Sequence, residues 1–387
     1  MVAINIIGIS IIGIFLLFIL LKRKKEFSDY FLILTNLMMA GILASDIWIK
    51  QGITPANFLF QNLIVFYILP SFLTYGMLLI DDEHRWRKDW WWFYIYAVSF
   101  TIFAIIDYAI LTDYTNELAA YRYEYPTIAY HFFYKTHKLF IIFALLWFWK
   151  KLKAYRSKIK DYYSFIEPLQ LNWLGYFVWV YMILNAITLV GFLIFNFGWV
   201  ENIDLIYLVV NSTTVLSLFY LSYYGIRQYT LAQFHQANEK KQPSSTNDEV
   251  EAMKEDNDEE TTKYQSSSLS DENISQIYRE LVRLFEEETI YQEPQLKIQK
   301  VAEELSVTTH HLSQVINTKA NRPFYEFVNQ YRVNALKEKL TDPKSRQYTI
   351  LALALDCGFN SKASLNRIFK QHTGQSPSEF QKAHLIA

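Results

Sequence analysis

Twenty consecutive residues, Val2 to Leu21, carry no charge and only two polar side chains, Asn5 and Ser10. A helix rises about 1.5 Å per residue, so a run of this length matches the ~30 Å hydrocarbon core of a bilayer. A cleaved signal peptide puts its positive charges ahead of the apolar run. Here Lys22, Arg23, Lys24 and Lys25 follow it, and no small-residue cleavage motif is evident. The segment reads as a retained span with its N-terminus outside.

Six further apolar stretches follow, at roughly 30–49, 57–80, 90–111, 128–149, 171–195 and 203–226. The connecting loops test that count. The odd loops carry thirteen Lys/Arg: Lys22 to Lys25, then Arg85, Arg87 and Lys88, then Lys150, Lys151, Lys153, Arg156, Lys158 and Lys160. The even loops carry only Lys50 and Arg122. The positive-inside rule puts the odd loops in the cytoplasm, and seven spans then leave the C-terminal half there too. Trp48, Trp90, Trp91, Trp92, Trp147, Trp149 and Trp199 lie near the span ends, where interfacial aromatics belong. This pattern predicts residues 1–238 as a bundle in a bacterial cytoplasmic membrane, with the lipid bilayer as its solvent.

Ionisable residues within spans are costly. His131, Lys135 and Lys138 fall at i, i+4 and i+7 of the fifth span, on one helical face. Asp46 and Asp107 lie at matching depth in the outer halves of their own spans, with Asn185 and Asn211 as further polar groups. Two readings stay open: a polar pocket for an unknown external ligand, or interhelical pairs that fix packing. No metal-ligand spacing or nucleophile–base pair stands out, so neither a cofactor nor an enzyme is expected. The lone cysteine, Cys357, rules out an intrachain disulfide and reads as a small buried apolar residue.

After Arg227 the last span is expected to continue over Gln228 to Asn238, and then the composition changes. Residues 239–263 hold nine Asp/Glu and four Lys and no aromatic residue. Such a stretch buries too little apolar surface to offset its ordering entropy, so 239–270 reads as a disordered acidic linker. A slack tether does not transmit a small rotation. Control would act through oligomer state, release, or a contact between the two halves. The overall net charge of −1 sums over these unlike halves and is silent on partners.

Residues 271–387 read as a domain with two helix-turn-helix units. Ser270, Asp271 and Glu272 cap a helix striped with Ile274, Ile277, Leu281, Leu284 and Phe285. The first unit runs from Leu296 through Ala302, Leu305 and Val307 to a helix capped by Thr308 and anchored by Leu312, Val315 and Ile316. Its outward face carries His310, Ser313, Gln314 and Asn317. A connecting helix (Phe324 to Leu340) leads to a second unit. There Thr349 precedes the first helix, Gly358 makes the turn, Phe359 enters the core and Ser361 caps the second helix, which Gly374 ends. Leu365, Ile368 and Phe369 face inward; Lys362, Asn366, Arg367 and Lys370 face out. Arg367 can grip a guanine bidentately. From residue 290 onward there are thirteen Lys/Arg against eight Asp/Glu, a mildly basic balance suited to phosphate contact.

The stretch Gly358-Phe-Asn-Ser-Lys-Ala-Ser-Leu-Asn-Arg-Ile-Phe-Lys-Gln-His-Thr-Gly-Gln-Ser-Pro-Ser-Glu-Phe380 resembles the C-terminal signature of AraC-type (AraC/XylS) transcription regulators. The run Asn321-Arg-Pro-Phe-Tyr-Glu-Phe-Val-Asn-Gln-Tyr-Arg332 resembles that family's connecting helix, and the likeness covers about residues 290–383. It implies a seven-helix domain whose two reading helices enter successive major grooves of double-stranded DNA. By resemblance, base-reading roles fall on His310, Ser313, Gln314, Lys362, Asn366 and Arg367. Leu365 stands where the family usually has Phe, and Ala363 where some members have a polar group, which leaves the target sequence open. The order of the two halves, with Leu69-Pro-Ser-Phe-Leu-Thr-Tyr75 and Leu171-Asn-Trp-Leu174, is similar to membrane-bound seven-span AraC-type regulators of the Bacteroidetes group.

The expected fold is therefore all-α, a seven-helix transmembrane bundle followed by a cytoplasmic all-α domain. The expected function is membrane-anchored, sequence-specific transcription regulation, as a monomer with two reading units or as a homodimer through the bundle. The alternative is a membrane receptor or transporter-like protein whose helix-turn-helix units dock another protein.

Overall fold

The computed structural model describes residues 2–22, 25–51, 55–81, 90–112, 128–196, 204–227 and 270–385. All regular elements among them are helical, fourteen α-helices and no strand. The expected linker up to residue 269, the continuation over Gln228 to Asn238, and Arg23, Lys24, Arg85, Arg87, Lys88 and Arg122 of the charged loops lie outside the described residues. The chain divides into two compact units, Met1–Lys153 with Leu171–Leu231, and Ala154–Gln170 with Ala232–Ala387.

Seven helices belong wholly or largely to the first unit: α1 (Val2–Leu21), α2 (Phe27–Gln51), α3 (Pro55–Ile80), α4 (Trp91–Thr112), α5 (Ile128–Tyr162), α6 (Asn172–Asn196) and α7 (Asp204–Arg227). Four described segments are long and apolar enough to cross a membrane: Val2–Leu21, Phe27–Trp48, Leu63–Ile80 and Asn172–Gly191. α5 contains 35 residues, about 50 Å of helix, so it outruns the expected span and carries Lys150 to Lys160 on its last turns.

Apolar side chains in this unit lie outside as well as in the core. Ile6, Ile7, Ile14, Leu17, Phe18 and Leu21 of α1 are all more than half exposed. Asn36, Ser71, Thr74 and Ser222 are fully buried, by contrast. The buried hydroxyls and amides pair between helices: Thr35 Oγ1 donates to Ser71 Oγ at 2.8 Å, and Ser222 Oγ to Asn36 Oδ1 at 2.6 Å. Such buried bonds fix which helix faces meet, which apolar contact alone does not. Small residues allow close approach. A Cβ on Gly76 of α3 would lie 2.5 Å from Phe148 Cζ of α5.

The second unit joins residues 154–170 to seven further helices: α8 (Asp271–Glu286), α9 (Ile298–Glu304), α10 (Thr309–Ala320), α11 (Phe324–Thr341), α12 (Ile350–Asp356), α13 (Lys362–Thr373) and α14 (Pro377–Leu385). α11 is buried along its length and touches α10, α12, α13 and α14, so it is the axle between the two halves of the domain. Phe285, Leu312, Ile316, Phe324 and Val328 form the first core; Leu353, Cys357, Phe359, Leu365 and Phe369 are buried in the second half.

The close α3–α5 contact gives a direct test. Gly76→Ala should destabilise the detergent-solubilised protein by ~1–3 kcal/mol through overpacking. Adding Phe148→Leu should recover most of the lost thermal stability. Equal melting temperatures for the wild type and Gly76→Ala would contradict the packing described.

Candidate nucleic-acid interface

The two helix-turn-helix units close by the same local device. In the first, Val307 N–H donates to Ala302 O at 2.9 Å; in the second, Phe359 N–H donates to Ala354 O at 3.0 Å. Ala302 and Ala354 are buried, as the tight helix crossing requires. Each turn needs one left-handed residue, and the two units solve this differently. Gly358 has φ +90°, whereas the first unit places Ser306 at φ +53°. The second reading helix of each unit is then capped. Thr308 Oγ1 accepts from His311 N–H at 3.2 Å, and Ser361 Oγ from Ser364 N–H at 3.1 Å. Ser270 and Thr349 cap α8 and α12 likewise. Gly374, at φ +77°, ends α13, and Ser376 and Glu379 form a reciprocal capping box at the start of α14.

Capping and core packing fix which faces point outward. On α10, His310, Gln314 and Asn317 are exposed and Ser313 is half-buried. On α13, Lys362, Asn366, Arg367 and Lys370 are all exposed. The two helices thus carry short polar and cationic groups able to reach base edges and phosphates.

Arg332 of α11 was not among the expected site residues, yet it organises this domain. It is 2% exposed. Its Nε donates to Tyr291 O at 2.8 Å and its Nη2 to Glu293 O at 2.7 Å and to Ser164 Oγ at 3.2 Å. Burial lowers its pKa to about 10, still protonated at neutral pH. The Gly358 turn packs against the same guanidinium: a Cβ there would meet Tyr291 O at 2.6 Å and Arg332 Nε at 2.9 Å.

The stretch 161–170 was expected only as loop. In the second unit it is ordered against the helix-turn-helix domain. Tyr163 forms an antiparallel bridge with Lys297, and Ser164 N–H donates to Leu296 O at 3.1 Å. Tyr162 packs on the first core. Two acidic side chains of this stretch meet the two reading helices. Asn317 Nδ2 of α10 approaches Asp161 Oδ1 at 3.5 Å. Arg367 Nη2 of α13 donates to Glu167 Oε1 and, at 2.7 Å, to Tyr325 Oη.

Of the expected intramembrane residues, Lys138 donates to Asn185 Oδ1 at 3.3 Å, and Asp46 is half-buried. The side chains of Asp107, His131, Lys135 and Asn211 lie outside the described residues. His137, one position from Lys138, is 1% exposed and hydrogen-bonds the Tyr96 hydroxyl. Cys357 is fully buried, and burial pushes its thiol up to about 11.

Residues 301–383 match a family model described as a helix-turn-helix domain, which supports a DNA-binding regulator of the AraC family. No curated protein matches the chain. A solved structure of a protein of unknown function from Listeria innocua is similar, with 25% identity over 28% of this chain and 96% of that chain and a TM-score of 0.25.

The unequal turns predict opposite effects. Ser306→Gly should stabilise the C-terminal unit by up to ~1 kcal/mol, because glycine meets no penalty at positive φ. Gly358→Ala should cost about 3 kcal/mol through backbone strain and the clash with Arg332. Hydrogen exchange of α11 amides in the full-length protein reads both. Faster exchange in Ser306→Gly, or none in Gly358→Ala, would contradict the geometry. The thiol gives a further check. The folded state holds the Cys357 proton more tightly than the unfolded chain, whose value is near 9.0. Stability should therefore fall as pH rises through 9 towards 11, and this fall should vanish in Cys357→Ala.

Proposed function

We propose that this chain is a membrane-anchored, sequence-specific transcription regulator that binds double-stranded DNA through α10 and α13. The observation that carries the reading is the outward face of these two capped helices: His310, Ser313, Gln314, Lys362, Asn366, Arg367 and Lys370 all lie on the solvent side of their cores or at its edge. The family match over residues 301–383 supports it, as does the basic balance of the domain.

In this reading, residues 1–238 form seven spans in a bacterial cytoplasmic membrane with the N-terminus outside, 239–270 link, and 271–387 bind DNA in the cytoplasm. The exposed apolar residues of α1 and the buried interhelical polar pairs of the first unit support lipid solvation. The cationic odd loops support the orientation. An external or membrane-borne signal acts on the bundle. Asp46, Asp107, His131, Lys135 and Lys138 mark the polar stretch where a ligand would be felt, and the Lys138–Asn185 bond favours a packing role for that lysine.

Selection of duplexes from a random-sequence pool by the full-length protein tests the reading. Wild type should enrich one motif. Arg367→Ala should lose discrimination of about 1–3 kcal/mol at one base pair of it. Lys370→Ala should weaken all duplexes alike and lower the log–log salt slope by about 1. Enrichment of no motif by the wild type, together with an unchanged reporter output in Arg367→Ala, would instead fit docking to another protein.

A further inference from the structure

We propose that residues 161–167 are an internal acidic ligand of the DNA-reading face, with Glu167 competing with DNA for Arg367. The inference rests on DNA reading by α10 and α13. It also names what regulates that reading.

Arginine has two edges that can grip a guanine bidentately, Nη1 with Nη2 and Nε with Nη2. Both edges need Nη2, which has only two N–H groups. In the structure, Nη2 donates to Tyr325 Oη at 2.7 Å and to Glu167 Oε1. With Glu167 in place, neither edge is complete. Release of Glu167 returns one Nη2 hydrogen and restores a fork. Tyr325 belongs to α11 and stays, holding the arginine in position.

The second reading helix is engaged in the same way, since Asp161 Oδ1 faces Asn317 Nδ2 at 3.5 Å. One short stretch thus sets a carboxylate against each reading helix, where a base edge or phosphate would otherwise lie. Asp161 and Glu167 stand out in a segment whose other charges, from Lys150 to Lys160, are all positive.

The stretch is docked by more than charge. It shares the Tyr163–Lys297 bridge, the Ser164–Leu296 backbone bond, and the Arg332–Ser164 bond. It is also only part-satisfied: Glu167 Oε2 is buried and accepts no hydrogen bond among the described residues. A half-exposed carboxylate with one paired oxygen holds the docked state loosely and leaves it open to displacement by a better anion. Asp161 lies on the last turn of α5 and Glu167 between α5 and α6, so whatever moves those helices pulls on this ligand without using the linker.

The bridge geometry supplies the test. Ser164 N–H bonds Leu296 O, so Tyr163 and Lys297 are a non-hydrogen-bonded antiparallel pair, with Cα atoms about 4.5 Å apart and within reach of a disulfide. Full-length protein in phospholipid nanodiscs is titrated with the random-sequence duplex pool at fixed salt. Glu167→Gln, which keeps the backbone bridge, should bind about tenfold more tightly than wild type. Tyr163→Cys combined with Lys297→Cys should cross-link on oxidation. The oxidised form should bind at least about tenfold more weakly than the same protein reduced. Motif enrichment by wild type and its loss in Arg367→Ala is the control for DNA reading. If that control holds but Glu167→Gln matches wild type and oxidation changes nothing, the internal-ligand inference is overturned while DNA reading stands. If the control fails, both fall.

Discussion

The buried guanidinium of Arg332 is the contact on which the C-terminal unit depends. An ion taken from water costs several kcal/mol unless its donors are met. Here they are met by backbone carbonyls of the segment ahead of the first helix-turn-helix unit, by Asn329 of the same helix and by Ser164. The Gly358 turn lies against the same group. One side chain therefore ties the segment ahead of the first unit and the turn of the second to the connecting helix. In the proposed function, the spacing of α10 and α13 sets the half-site spacing on a duplex.

The first unit, in the proposed membrane setting, obeys a different balance. There its apolar residues would not drive association, because lipid would solvate them as well as a neighbouring helix does. What specifies the bundle is close approach at small residues and interhelical hydrogen bonds such as Ser222–Asn36 and Thr35–Ser71. The Lys138–Asn185 bond fits the same logic of a buried polar group finding a partner.

Local features were legible in the sequence and distant ones were not. The caps at Ser270, Thr308, Thr349 and Ser361 could be read because a short hydroxyl before an apolar-periodic run has one main use. The Gly358 turn was legible for the same reason; its counterpart Ser306 was not, since serine gives no sign of a left-handed backbone. Arg332 reads in sequence as one more charge on a helix. The 161–167 contacts bridge 156 to 200 residues of separation, and no periodicity encodes them. Two carboxylates in an otherwise cationic loop were the only trace. The extension of α5 to Tyr162 was missed because membrane-span reasoning stops at the first lysine, whereas a helix does not.

In the proposed function, α11 holds the two reading helices at a fixed spacing. Hydroxyl-radical footprinting of a selected duplex by the full-length, bilayer-embedded protein tests this most directly. Two protected patches on one face of the duplex, about one helical turn apart, are the predicted result. A single patch, or two whose spacing varies from one duplex to the next, would contradict it.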